Sequence, residues 1–280
     1  MDSPDAVASH YQGGEGPGGL RQRIETALAE AGLAKGGTSD GPLTERDVSG
    51  AAEFHIGGRP ASQHLIAQLD LSDGMHVLDV GSGLGGTARL IASASGAQAT
   101  GIDLTPEFVD VATWLSERTG WGHATTFQVA SATDPLPWRD HFDAATMLHV
   151  GMNIADKAAM ARTVHAALRP GALFAIYDVM AGPNPAPLDL PVPWATESST
   201  SHVAALAEYE SALTTAGFSI EQVEDRSAWA IKTLQQGGPP ASPVNLSLVM
   251  GPDTRTKVAN MRANLLDGRI APTVMVARKQ

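Results

Sequence analysis

Residues 75–86 read Met75-His76-Val77-Leu78-Asp79-Val80-Gly81-Ser82-Gly83-Leu84-Gly85-Gly86, an apolar run that passes through an acid into glycines. The spacing predicts a buried strand over 75–80, a tight turn at the glycines, and a helix over 86–95. Gly81, Gly83 and Gly86 satisfy the dinucleotide fingerprint G-x-G-x-x-G, with Asp103 about 20 residues further on for a ribose hydroxyl. Asp79 separates that reading from a second one. A pyrophosphate in the turn would meet its negative charge, whereas a cationic ligand would be drawn to it. S-adenosylmethionine (SAM) carries an ammonium and a sulfonium, has no phosphate, and keeps a ribose diol for Asp103. Charge favours SAM over a nicotinamide dinucleotide.

On the C-terminal side of this turn, strand and helix signals alternate. Strands are expected at 97–103, 125–130, 142–148 and 172–178, and helices at 106–118 and 155–168. Thr105 reads as an N-cap and Pro106 as the first helical residue, where a missing N–H costs nothing. Such βαβα repetition needs helices on both faces of a parallel sheet, with ligands outside the carboxyl ends of the strands. After Asp178 the rhythm fails, because Pro183, Pro185, Pro187, Pro191 and Pro193 forbid regular structure over 181–193. A helix near 203–216 follows, then strands at 218–231 and 272–279, separated by an amphipathic helix carrying Val258, Met261 and Leu265. On the N-terminal side, Leu20, Ile24 and Leu28 mark a short helix on a Gly-rich leader, and Leu65, Ile66 and Leu69 mark another. The expected organisation is a leader and helical lid over 1–60, a core over 61–231, a capping insertion over 232–271 and a last core strand over 272–280.

Composition narrows the function. The 280 residues are 43% apolar and 18% charged, as in a globular protein with a substantial core. There is no cysteine, hence no disulfide framework, thiolate metal site or cysteine nucleophile. The net charge of −11 opposes a phosphate-tracking surface, so nucleic acid is not an expected partner. No signal-peptide pattern and no long apolar run occurs, and the expectation is a soluble cytoplasmic protein without membrane contact. Metal-binding patterns are also absent.

Asp79 followed by Gly81, Gly83 and Gly85 resembles the first motif of class I SAM-dependent methyltransferases. Leu136-Pro137-Trp138 with Phe142-Asp143, and residues 168–178 (LRPGALFAIYD), resemble later segments of that family, so the likeness extends over about 60–230. It implies a doubly wound, Rossmann-like α/β fold with a seven-stranded sheet, carrying the lid and the insertion. By the same resemblance Asp79, Gly81, Ser82, Gly83 and Gly85 hold the methionine part of SAM, Asp103 the ribose and Leu104 the adenine face, with Ser131 and Ala132 bordering the adenine. Many members have an acid where Ser131 stands. Tyr11 is similar to a tyrosine that closes over SAM in some relatives, and FHIGGRP (54–60) with MLHVGMNIADK (147–157) resembles sarcosine and dimethylglycine N-methyltransferases.

For chemistry, a proton acceptor is expected at a strand end beside the cofactor. His149 follows the fourth strand and Asp178 ends the fifth. Neighbouring strands would bring them together as a base and its orienting carboxylate. His55, Met152, Asn153 and Trp194 are candidates for contact with the acceptor, a small molecule methylated on oxygen or nitrogen. Carbon methylation, a catalytically silent SAM-binding protein and a nicotinamide oxidoreductase are the alternatives.

Overall fold

A computed structural model describes residues 19–33, 43–236 and 242–280. Tyr11 and the rest of the leader before residue 19 lie outside the described residues. The order is α1 (Gly19–Glu30), α2 (Glu45–Ala52), α3 (Gly58–Ile66), β1 (His76–Val80), α4 (Gly86–Ser95), β2 (Gln98–Asp103), α5 (Pro106–Arg118), β3 (Thr125–Val129) and β4 (Phe142–Leu148). There follow a 3-10 turn at Gly151–Asn153, α6 (Lys157–Ala167), β5 (Leu168–Ala181), α7 (Leu206–Ala216), β6 (Phe218–Asp225), α8 (Ser227–Gln235), α9 (Ser247–Met250), α10 (Thr254–Leu266) and β7 (Ile270–Lys279).

These strands form one seven-stranded sheet in the order β3-β2-β1-β4-β5-β7-β6. β1 lies parallel to both β2 and β4, and β4 parallel to β5, whereas β7 runs antiparallel to β5 and β6. Because β1 has the later β4 on one side and β2 on the other, the chain reverses its winding there. A crevice opens at the carboxyl ends of these strands. The expected doubly wound α/β fold is the fold observed.

Each face of the sheet has its own apolar layer. On one, Phe142, Phe174 and Ile176 pack with Met160 and Val164 of α6 and Tyr209 and Leu213 of α7. On the other, Val77, Ala99 and Tyr177 pack with Leu65 of α3 and Ile91 of α4. A third cluster joins Leu20, Ile24 and Leu28 of α1 to Phe108, Val111 and Leu115 of α5 and to Val244 and Val249.

Local chemistry explains the sharp boundaries. Gly85 (φ 78°) turns β1 into α4 and Gly96 (φ 76°) ends that helix, both in the left-handed region that suits glycine. Pro106 sits in the first turn of α5 behind Thr105, and the Asp156 carboxylate accepts from the Ala159 N–H to start α6.

One expectation needs correction. Residues 226–231, read as strand, belong to a turn and α8. Asp225 Oδ1 accepts from Ser227 N at 2.8 Å, Arg226 stacks over Trp229 at 4.1 Å, and Ala230 is fully buried against the last strand's neighbours. Among the described residues of 232–271, none lines the crevice. α9 packs on α1 and α2, while α10 carries Asn264, which exchanges hydrogen bonds with the backbone of Asp189, and Asn260, which bonds Pro191 O. The Pro-rich segment is thereby tied to α10.

Candidate active site

A cleft of about 290 Å³ lies over the carboxyl ends of β1, β2 and β4. The turn after β1 supplies Gly81, Ser82, Gly83 and Leu84 to its lining, β2 and its sequel supply Asp103, Leu104 and Thr105, and the segment after β3 supplies Ala130, Ser131 and Ala132. His149, Val150 and Asn153 enter from the end of β4, and Ala52, Phe54 and His55 from the segment after α2. No described residue of 232–271 is among them.

Asp79 is fixed by one oxygen and left open by the other. Thr146 Oγ1 donates to its Oδ1 at 2.8 Å, while Oδ2 is buried without a hydrogen-bond partner. Burial pushes its carboxyl up to about 7; the Thr146 bond opposes this, and the nearby charges of Glu53 and Asp103 add to it. Ser82 Oγ is likewise buried and unpartnered. Gly81 (φ 69°) and Gly83 (φ 51°) lie in the left-handed region, and a Cβ at Gly83 would project into open space.

Asp103 braces the turn. Its Oδ2 accepts from Gly83 N at 2.8 Å and its Oδ1 from Thr105 N at 2.9 Å. Burial raises its carboxyl from the ordinary value against these bonds. Ser131 Oγ contacts Thr133 Oγ1 at 2.8 Å and accepts from Thr133 N, which shapes the rim of the cleft.

The other end of the cleft holds two histidines. His149 has φ 53°, an uncommon backbone for a non-glycine residue, though histidine tolerates it better than most. Its N–H donates to Tyr177 O at 2.7 Å, and its ring lies 4.9 Å from that of Tyr177 and 5.8 Å from that of His55. Burial and the charge of a protonated His55 hold its pKa well below the ordinary histidine value, and Nε2 is buried without a partner. His55 Nε2 stands 3.1 Å from Glu53 Oε2 and 2.9 Å from Ser62 Oγ. The Ser62 hydroxyl donates to the same carboxylate oxygen at 2.5 Å.

The expected His149–Asp178 pair does not form. Tyr177 and Asp178 are consecutive on β5 and point to opposite faces of the sheet. The Asp178 carboxylate therefore accepts from Tyr209 Oη at 2.7 Å and from Val179 N at 2.9 Å, on the side of α7. Burial raises it to about 6, against the bonds from Tyr209 and from the Val179 and Met152 amides and the charge of Lys157. Gly151 crosses directly above, where a Cβ would stand 2.1 Å from Asp178 Oδ2. Asp178 thus anchors the turn after β4 instead of facing the cleft.

Met152 and Trp194 are also absent from the lining. Both are buried in a core with Val179, Val192 and Leu265, and Trp194 Nε1 donates to Ser201 Oγ at 3.0 Å. Asn153 and His55 do line the cleft. Phe54, Thr87, Phe108 and His202 do so as well, and sequence reasoning missed them. Phe108 lies on the apolar face of α5 and follows Asp103 closely, a signal available in the sequence, whereas His202 arrives from a segment without periodic pattern.

Residues 78–176, from β1 into β5, match the family model described as a methyltransferase domain. Over these residues the chain is similar to a methyltransferase domain. Erythromycin 3''-O-methyltransferase of Saccharopolyspora erythraea is 31% identical to the chain over 184 residues, which is 64% of the chain and 56% of that relative. Phosphoethanolamine N-methyltransferase 3 of Arabidopsis thaliana is 28% identical over 198 residues, 71% of the chain and 40% of that protein. The matches thus span less than two thirds of these relatives. The crystal structure of geranyl diphosphate C-methyltransferase from Streptomyces coelicolor A3(2), in complex with S-adenosyl-L-homocysteine, superposes with a TM-score of 0.69 at 14% identity, covering 100% of the chain and 99% of the other. That likeness speaks for the fold of the whole chain around the methyltransferase domain. No helix among the described residues is long and apolar enough to cross a membrane.

Proposed function

We propose that this protein transfers the methyl group of SAM to an oxygen or nitrogen of a small molecule and releases S-adenosylhomocysteine. One observation carries the reading. A buried carboxylate, Asp79, presents an unpartnered oxygen beside a glycine turn whose Ser82 hydroxyl is also unpartnered. Leaving such groups unpaired in a protein interior is costly unless a ligand completes them, and the negative charge selects a cation. A pyrophosphate would be repelled.

The residues present fit SAM. Asp79 and the 81–85 turn would hold its methionine part, Asp103 its ribose, Leu104 and Phe108 the adenine faces, and Ser131 with Ala132 the adenine edge. SAM supplies a methyl group on a positively charged sulfur, ready for displacement by an electron pair. The chain's own contribution is to keep the acceptor in line at near-attack distance and to exclude water. Phe54, Val150 and Ile154 form the apolar wall for this, and His55, His149 and Asn153 offer polar contacts to the acceptor.

The test is mass-spectrometric detection of S-adenosylhomocysteine and of a product heavier by one methyl group, with SAM and three acceptor classes. Sugar hydroxyls of a macrolide, phosphoethanolamine and geranyl diphosphate represent oxygen, nitrogen and carbon methylation. Turnover on a hydroxyl or amine supports the proposal. Turnover confined to the prenyl carbon would move the acceptor to carbon, and tight cofactor binding without turnover on any acceptor class would mark a silent SAM-binding protein.

A further inference from the structure

The histidine expected to take the acceptor's proton, His149, has lost its carboxylate partner to the far face of the sheet. A carboxylate–histidine pair nevertheless stands at the cleft, where His55 of its lining meets Glu53, two residues earlier in the α2–α3 connection. Glu53 and Ser62 are buried, and their hydrogen bonds determine where the protons lie. Ser62 spends its only hydrogen on Glu53 Oε2. The serine oxygen and the carboxylate oxygen that both face His55 Nε2 are therefore acceptors, and Nε2 must carry the hydrogen. In the neutral ring Nδ1 is then a bare lone pair. It is buried and has no partner, on a side chain that lines the cleft.

The charges around the pair lead the same way. Burial would raise the Glu53 carboxyl, but the His55 hydrogen bond and charge, the Ser62 bond and Arg59, whose Nη1 is 4.0 Å from Glu53 Oε1, hold it below the ordinary value. It stays ionised. Asp79 also faces this end, close enough to be shifted by Glu53. An imidazolium at His55 has a carboxylate in direct contact, whereas one at His149 would be buried beside another histidine with no carboxylate hydrogen-bonded to it.

We infer that His55 Nδ1, with its tautomer fixed by Glu53 and Ser62, is the proton acceptor for methyl transfer, and that the neighbouring His149 stays neutral and hydrogen-bonds the acceptor. The inference rests on the methyl-transfer reading above. The acceptor's O–H or N–H bond breaks and its proton passes to Nδ1. The electron pair left on the acceptor atom forms the bond to the methyl carbon, and the pair of the broken carbon–sulfur bond remains on sulfur. Glu53 and Ser62 are positioning residues in this scheme, and the dyad logic matches that of other carboxylate-oriented histidines.

The experiment is nitrogen-15 NMR of the histidine rings in the full chain, free and with S-adenosylhomocysteine, for wild type, Glu53→Gln, Ser62→Ala and His149→Ala. The expected wild-type signature is a pyrrole-like Nε2 and a pyridine-like Nδ1 at His55. On acidification His149 remains neutral, because its ring is buried. Glu53→Gln should give a mixture of His55 tautomers, and His149→Ala should leave the wild-type tautomer in place. Hydrogen on Nδ1 in the wild type, a His55 tautomer indifferent to Glu53→Gln, or protonation of His149 first would overturn the assignment. These readouts do not depend on turnover. Failure to bind S-adenosylhomocysteine with the expected tautomer present would defeat the methyl-transfer reading instead, and the two failures are thereby distinguished.

Discussion

Asp79 carries opposing demands in folding and binding, and both are measurable. Its carboxyl lies near 7 in the ligand-free protein, chiefly because it is buried, against an ordinary value of 3.8. An ammonium ligand needs the charged form, so below about pH 7 a proton must leave before the ligand is held. Calorimetric affinity for S-adenosylhomocysteine should be flat above that pH and fall below it, approaching about tenfold per pH unit. The sign for stability is opposite. A raised carboxyl contributes stability that is complete below the ordinary value and lost as pH rises through about 7. Ligand-free Asp79→Asn should therefore melt at a higher temperature than wild type at pH 8, with the Thr146 hydrogen bond kept by the amide oxygen. The same variant should bind S-adenosylhomocysteine about 30-fold or more weakly, the ~2 kcal/mol lower end for losing one member of a buried charged pair. Equal melting temperatures with unaltered affinity would contradict both expectations. Asp79, the glycine turn, Asp103, Leu104, Ser131 and Ala132 were all legible in the sequence as neighbours of one cleft, because adjacent strand ends of a doubly wound sheet must meet there. The Glu53–His55–Ser62 contacts were not, since they depend on how the short connection between two short helices folds back on the second of them.

Elements differ in how plainly they are written in the chain. α4 and α5 have the boundaries expected from sequence, with Gly85 and Gly96 bounding the first and Thr105 and Pro106 starting the second. α2 gave no signal: it is short, contains Gly50, and is held from outside. Thr44 N and Oγ1 both donate to Asp47 Oδ2 at its start, and the fully buried Arg89 of α4 reaches Glu45 at 2.8 Å. The two helices also touch backbone to backbone, since a Cβ at Gly86 would stand 2.2 Å from Ala52 O. Gly86→Ala should cost about 1–3 kcal/mol by overpacking and, by displacing Ala52 and Phe54 from the cleft wall, weaken ligand binding; denaturant unfolding and calorimetry report the two effects. Asp178 was misread for an equally physical reason. Strand alternation sends it to the α7 side while Tyr177 takes the opposite face of the sheet, and the positive φ of His149 turns that residue toward Tyr177. Asp178→Ala should accordingly lower stability by about 1–3 kcal/mol, because Tyr209 Oη and the amides it serves lose their acceptor. Affinity for S-adenosylhomocysteine should stay within about threefold, and a large loss of affinity without loss of stability would restore Asp178 to the site.

The chain as a whole places its excess of acid to advantage. With a net charge of −11, and with Asp79 and Asp103 lining one cleft, it is suited to a cationic cofactor and unsuited to pyrophosphate. The sheet order puts the winding reversal at β1, so the crevice and the acids coincide. Ligand binding should stabilise the fold by mass action, about 2.7 kcal/mol at a hundredfold excess over Kd. The measurement that bears most directly on the central claim is calorimetric titration of the purified protein with S-adenosylhomocysteine and, separately, with NAD, repeated on Asp79→Ala. The expected result is saturable S-adenosylhomocysteine binding that the substitution weakens, and no binding of NAD. Tight NAD binding without S-adenosylhomocysteine binding would contradict it.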